Sequence, residues 1–244
     1  MAKPSRRVGL ARVLSKLGYC SRSRAQQLIR SGQVTLNGAV RRDPETPVEE
    51  AAARIAVHGV VLSGQEKIYL MLNKPRGLVT TAADEKDRKT VYSCLPVEMP
   101  WVGPVGRLDK ASEGLLLLTN DSEWAARVLA PETHLEKSYH VQVSGPVRPE
   151  LLQSLAQGIR TELGFLRVRS ASVLRQGARN CWLEIVLDEG KNRHIRRMLQ
   201  ARGIEVLRLV RVAVGPLALG NLPKGSYRKL TLAEKRTLDR AMQR

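Results

Sequence analysis

Several features common in exported, metal-binding or membrane-bound proteins are scarce here. The three cysteines, Cys20, Cys94 and Cys181, are odd in number, far apart and without a Cys-x-x-Cys pair. That argues against a disulfide framework and against a zinc site. No apolar run is long enough to cross a bilayer, and with aromatics at 4% no basic amphipathic helix carries the bulky rings that would seat it on a membrane surface. The basic residues of 1–7 are not followed by an apolar signal core, so a reducing cytoplasm is the expected compartment. There is no internal repeat, and no glycine-rich loop has the spacing of a dinucleotide or phosphate-binding turn. Acidic residues are also few: 23 Asp and Glu face 41 Lys and Arg, a formal charge of +18. This exceeds what solubility requires and points to a polyanionic partner, nucleic acid first among them. The 244 residues, 43% of them hydrophobic, suffice for a buried core and one or two domains.

Residues 1–42 hold basic side chains and no acidic one. Leu10, Val13, Leu14 and Leu17 recur at i, i+3, i+4 and i+7, the period of an amphipathic helix, with Arg12 and Lys16 off that stripe. Gly18 can end this helix and Ser21 can cap a second, whose apolar side is Ala25, Leu28 and Ile29 and whose stop is Gly32. Asn37-Gly38 between two short alternating runs predicts a tight hairpin, since both central residues must take positive φ. Arg22, Arg24, Arg30, Arg41 and Arg42 are left for the surface, either as phosphate contacts or as a solvated basic face.

The basic character lapses over residues 43–65, and 63–66 are read as a linker between a first domain, 1–62, and a second, 67–244. The second opens on an apolar strand at 68–72 that exits through Asn73-Lys74-Pro75-Arg76-Gly77. Helices are predicted at 122–129, after Asp121 as cap, and near 149–159. Strands are predicted at 138–144, 165–174, 181–187 and 205–214, and Thr231-Leu232-Ala233-Glu234 reads as a capping box. Strands outnumber helices in a mixed α+β pattern.

Two runs carry chemistry. In Gly106-Arg107-Leu108-Asp109-Lys110-Ala111-Ser112-Glu113-Gly114, one aspartate sits in a polar loop just before Leu115-Leu116-Leu117-Leu118, a strand whose burial would anchor the loop. Arg107 and Lys110 flank it with positive charge, which favours an ionised carboxylate. An aspartate so placed is, taken alone, more often a loop cap or ion-pair partner than a catalyst. In Asp188 to Leu199, Ile195, Met198 and Leu199 share one side of a helix ended by Gly203, while Arg193, Arg196, Arg197 and Gln200 gather on the other. That face is either aimed at an anion or solvated.

Residues 10–40, and above all Ser21-Arg22-Ser23-Arg24-Ala25 through Val34-Thr35-Leu36-Asn37-Gly38, resemble the RNA-binding module named after ribosomal protein S4. The Gly106–Asp109 run with its leucines, Lys137-Ser138-Tyr139, and Glu189-Gly190-Lys191-Asn192-Arg193-His194-Ile195-Arg196-Arg197-Met198 occur in an order similar to that of the ribosomal-RNA pseudouridine synthases that carry such a module. The similarity runs over nearly the whole chain and includes the Asn73-Lys74-Pro75 strand exit. One departure is His194, where many relatives carry glutamine.

The resemblance implies a small S4-like αα-hairpin domain followed by a mixed, mostly antiparallel-sheet catalytic domain. It implies isomerisation of uridine to pseudouridine in ribosomal RNA without metal or cofactor, by a monomer without membrane attachment. Asp109 matches the catalytic aspartate, Arg196 the arginine that pairs with it, and Tyr139 the ring that stacks on an everted base. Arg107 and Lys74 are expected to help bind substrate. Arg12, Lys16, Arg22, Arg24, Arg30, Arg41, Lys191, Arg193 and Arg197 are expected to hold RNA. The alternatives are a ribosome-assembly factor that binds RNA without catalysis, and a nuclease or glycosidase, which would want a metal cluster or a second carboxylate such as Glu113 or Asp121.

Overall fold

The structure, a computed structural model, describes residues 8–49, 53–81, 88–162 and 164–243; the basic stretch 1–7 lies outside them. The chain divides into two units that interleave in sequence: Met1–Tyr69 with Pro96–Gly103 and Leu118–Ala126, and Leu70–Leu95 with Pro104–Leu117 and Arg127–Arg244. Among the described residues no helix is long and apolar enough to cross a membrane.

In the first unit a short strand, β1 (Val8–Gly9), leads into α1 (Leu10–Lys16) and α2 (Arg22–Arg30), followed by β2 (Val34–Leu36), β3 (Ala39–Arg41), β4 (Pro47–Val48), β5 (Ile55–Val57) and β6 (Val60–Val61). Strand β1 pairs with β4, and a separate antiparallel sheet runs β3-β2-β5-β6. Ser21 caps α2 by accepting the Arg24 N–H at 3.1 Å. The predicted hairpin turns at Asn37 and Gly38, with φ of 52° and 83°, and His58 and Gly59 repeat the geometry between β5 and β6 at 49° and 80°. Leu10, Leu14, Ala25, Ile29 and Val34 are wholly buried. Each leucine or isoleucine so buried contributes on the order of 2 kcal/mol. This core stabilises helices of 7 and 9 residues that could not persist alone.

The same unit fixes the chain's way out of the module. Asn120 accepts the Ile68 N–H at 2.8 Å and donates to the Glu66 carbonyl at 2.8 Å. Asp121 caps α3 (Ser122–Leu129) as expected, accepting the Trp124 N–H at 3.0 Å and, on its other oxygen, the Tyr69 hydroxyl at 2.8 Å.

The remaining strands are β7 (Tyr69–Lys74), β8 (Gly103–Val105), β9 (Glu113–Thr119), β10 (Lys137–Ser144), β11 (Ile159–Thr161), β12 (Gly164–Leu166), β13 (Ser170–Gln176), β14 (Asn180–Leu187), β15 (Val206–Val214), β16 (Leu217–Ala218) and β17 (Tyr227–Lys229). The helices are α4 (Pro149–Gln157), α5 (His194–Gln200) and α6 (Leu232–Ala241), the last opened by the predicted Thr231–Glu234 capping box. The main sheet runs β13-β14-β10-β15-β9-β7-β17, with β8 on β9 and β16 on β15. Its registered pairs are antiparallel except β15 with β9, which is parallel. Every residue of β9 is buried, which meets the need of its four leucines.

One prediction is corrected: residues 165–174 do not form a single strand. Leu166 closes a hairpin with Ile159, and the chain then turns away so that the Val168 N–H reaches the Leu155 carbonyl of α4 at 3.1 Å. Val168 is 2% exposed, so its burial against α4 overrides the β pattern around it.

Candidate active site

Asp109 lies in the turn between β8 and β9, and the backbone of that turn is gripped at every carbonyl from Leu108 to Ser112. The Leu108 carbonyl accepts from the Thr80 hydroxyl at 2.8 Å, and the Lys110 carbonyl from the Gly77 N–H at 2.7 Å. The Ala111 carbonyl accepts from Arg196 Nη2 at 3.0 Å. Lys74 Nζ donates to the carbonyls of Pro75, Asp109 and Ser112 at 3.1, 3.2 and 2.8 Å, and the Ser112 N–H also reaches the Asp109 carbonyl at 2.9 Å. The donors from outside the turn come from the end of β7 and the segment after it and from α5, so separate elements fix the backbone that carries the carboxylate.

Lys74 was expected to touch substrate. Its side chain instead lies wholly buried, beneath the turn and outside the cavity lining, because its three N–H bonds are spent on three carbonyls. Burial pulls its pKa down to about 8, with Asp109 and Glu113 pulling the other way.

A cavity of about 330 Å³ opens beside the turn, large enough for a small ligand. Among the described residues Asp109 is the one carboxylate in its lining. Arg107, Lys137, Lys191, Arg193, Arg196 and Arg211 supply six cations, and Tyr139 lines the wall built by β10 and β15. Tyr139 is 9% exposed and pairs across the sheet with Arg211. The other two candidate acids are elsewhere. Glu113 is clamped by Arg208 at 2.8 and 3.2 Å and by Lys224 at 2.5 Å, and Asp121 serves as the cap of α3.

The direct Arg196–Asp109 ion pair is a second correction. Both groups line the cavity, but Arg196 donates to the carbonyls of Ala111 and Val206, and among the described residues no salt bridge joins it to Asp109. Burial lowers the guanidinium's pKa, as do Arg193 and Arg76, while Asp109 opposes them. The arginine therefore braces the turn while lending it positive potential.

Among the other expected contacts, Arg107, Lys191 and Arg193 are exposed at the cavity. Arg197 is not in its lining: the guanidinium folds back onto the Asn192 carbonyl. His194, buried at the start of α5, has its Nε2 3.0 Å from the Arg167 carbonyl, and burial lowers its pKa. In the first unit Arg12, Arg22, Arg24, Arg30 and Arg41 are exposed, whereas the Lys16 ammonium is paired with Glu123 at 2.9 Å.

Comparison with known proteins decides the family. The sequence profile of the RNA pseudouridylate synthases matches residues 68–201, and that of the S4 domain matches residues 8–53. The chain belongs to the RNA pseudouridylate synthase family. An RNA pseudouridine synthase of Rickettsia bellii is 40% identical over 222 residues, 91% of this chain and 96% of that protein. Ribosomal large subunit pseudouridine synthase B of Bacillus subtilis is 36% identical over 94% of each chain. A crystal structure of a pseudouridylate synthase aligns with a TM-score of 0.66 and 30% identity, over 95% of this chain and 99% of that one.

Two parts of this synthase's site escape sequence reasoning. Thr80 and Gly77 hold the turn through backbone carbonyls, which leave no residue pattern. Arg211 stands in an apolar strand, where a charge flanked by valines is a signal in hindsight. Its backbone needs the neighbouring glycine: a Cβ at Gly114, where φ is 101°, would fall 2.2 Å from the Arg211 carbonyl oxygen.

Proposed function

We propose that this synthase isomerises a defined uridine of ribosomal RNA, with the carboxylate of Asp109 acting on a nucleotide everted into the cavity. The observation that carries this reading is a carboxylate on a turn held by hydrogen bonds from Leu108 to Ser112, in a cavity whose other charged lining groups, among the described residues, are all cations. The reaction breaks the bond from ribose C1′ to base N1, turns the uracil, joins C1′ to C5, releases the C5 proton to water and returns a proton to N1. Atoms and electrons balance without a cofactor, and one ionised carboxylate suffices as nucleophile or proton acceptor. Tyr139 offers a ring against which the displaced base regains stacking. Residues 1–62 hold RNA largely through phosphates, with Arg12, Arg22, Arg24, Arg30 and Arg41 exposed for that purpose, and residues 63–66 join them to the catalytic domain at 67–244. The enzyme works as a cytoplasmic monomer. The name of the Bacillus subtilis relative supports ribosomal RNA as substrate.

The test is tritium release. Ribosomal RNA, naked or in assembling subunits, carrying tritium at uridine C5 should lose label to water on incubation with the protein, while unrelated RNA should keep it. Retention of label in every ribosomal preparation would overturn the assignment.

A further inference from the structure

Lys137 and Arg211 are left unused by the reaction as drawn. Both line the cavity, and both stand next to Tyr139 in the sheet: Arg211 is its cross-strand partner, and Lys137 is two residues earlier on β10. Arg211 is 7% exposed, and its Nε donates to the Leu115 carbonyl at 2.7 Å, which holds the guanidinium in the wall. Among the described residues neither side chain has a carboxylate in hydrogen-bond or ion-pair contact. Burial lowers the Lys137 pKa, and the charge of Arg211 lowers it further, with only Asp188 opposing. Two like charges in one low-dielectric wall repel each other and lose hydration, a cost that an arriving anion removes. Arg107, Lys191 and Arg193, by contrast, are exposed and well hydrated.

We propose that Lys137 and Arg211 form an anion subsite that receives a phosphodiester group flanking the target uridine, on the wall that carries Tyr139. The proposal rests on the reading that this cavity takes the target nucleotide. Base and ribose are neutral, so the phosphate is the one part of that nucleotide that can neutralise the pair. Bound there, it fixes the nucleotide by its backbone while the neighbouring ring holds its base. The enzyme then acts on nucleotides within a chain and gains little grip on a free nucleoside.

The experiment uses a short RNA containing the uridine that the wild-type protein converts, with either flanking linkage replaced by a neutral methylphosphonate. One of the two replacements should raise KM about tenfold for the wild type, as removal of a charge-assisted hydrogen bond would, and leave kcat nearly unchanged. Lys137→Met, checked for an unaltered thermal transition, should show the raised KM already and no further response to that linkage. Lys137→Arg should restore the response. Equal conversion of all three RNAs by the wild type, or the same tenfold loss in Lys137→Met, would overturn the subsite. So would an insensitivity to neutral linkages combined with inhibition by inorganic phosphate, beyond chloride of equal ionic strength, that disappears in Lys137→Met; that result would assign the pair to a free anion. Failure of the wild type to convert the unmodified RNA would instead strike the functional reading.

Discussion

The arginines of the first unit and the turn that carries Asp109 are built on opposite plans. Arg22, Arg24, Arg30 and Arg41 stand exposed on a small scaffold, and their flexible side chains can meet a phosphate from many directions. Around Asp109 it is the backbone that is held, since each carbonyl from Leu108 to Ser112 accepts a hydrogen bond from within the turn or from another element. Binding by charge tolerates displacement, because Coulomb energy falls slowly with distance. Chemistry on a ribose or base does not, because a shift of about 1 Å can cost a hundredfold in rate. Substitutions in the two regions should therefore divide between kcat and KM.

Lys74→Met should give the largest effect on the turn. It removes three donors beneath Asp109 and should lower kcat about a hundredfold, with KM little changed, in steady-state assays. Denaturant unfolding should show a loss of about 2 kcal/mol or more, from buried carbonyls left without partners. Thr80→Val keeps the shape and loses the bonds to Leu108, and should cost kcat about tenfold.

Alkaline pH should act through the same lysine. Its native pKa is about 8 against an ordinary 10.5, so above about pH 8 the amine keeps two N–H bonds for three carbonyls, and kcat should decline. Between those values the unfolded chain binds the proton and the native state does not, so this group makes stability rise with pH. A fall in rate with no fall in stability at this group would separate loosening of the turn from unfolding. A pH–rate profile and thermal melts on the same samples would test this. Arg22→Ala should have the smallest effect, a several-fold rise in KM at unchanged kcat. If its guanidinium neutralises one phosphate of a single strand, the slope of log affinity against log salt should shrink by about 0.7 in the variant. An unchanged slope would remove Arg22 from the RNA surface.

The same contrast separates what could be read in the sequence from what could not. The Asn37-Gly38 turn, the Ser21 cap, the 231–234 capping box and the leucine strand after Asp109 are decided within a few residues, so their signals are local. The motif residues Asp109 and Tyr139 do meet in one cavity with Arg196. The grip on the turn was not legible. Thr80 and Lys74 bond backbone atoms some 28 to 38 residues away, and Arg196 one 85 residues away, and such bonds impose no spacing. Arg196 was expected on the carboxylate itself, but the position of α5 puts its fork on two carbonyls. Lys16 fits a basic surface by helical period, but its actual partner, Glu123, comes from α3.

Asp109→Asn tests the central claim most directly, because it keeps size and most hydrogen bonding while removing the charge. Tritium release from ribosomal RNA and filter binding of the same RNA should be measured side by side. The carboxylate account predicts that release is abolished while the dissociation constant stays within about threefold of wild type. Release at the wild-type rate by the asparagine variant would contradict it and leave the protein's chemistry to another residue.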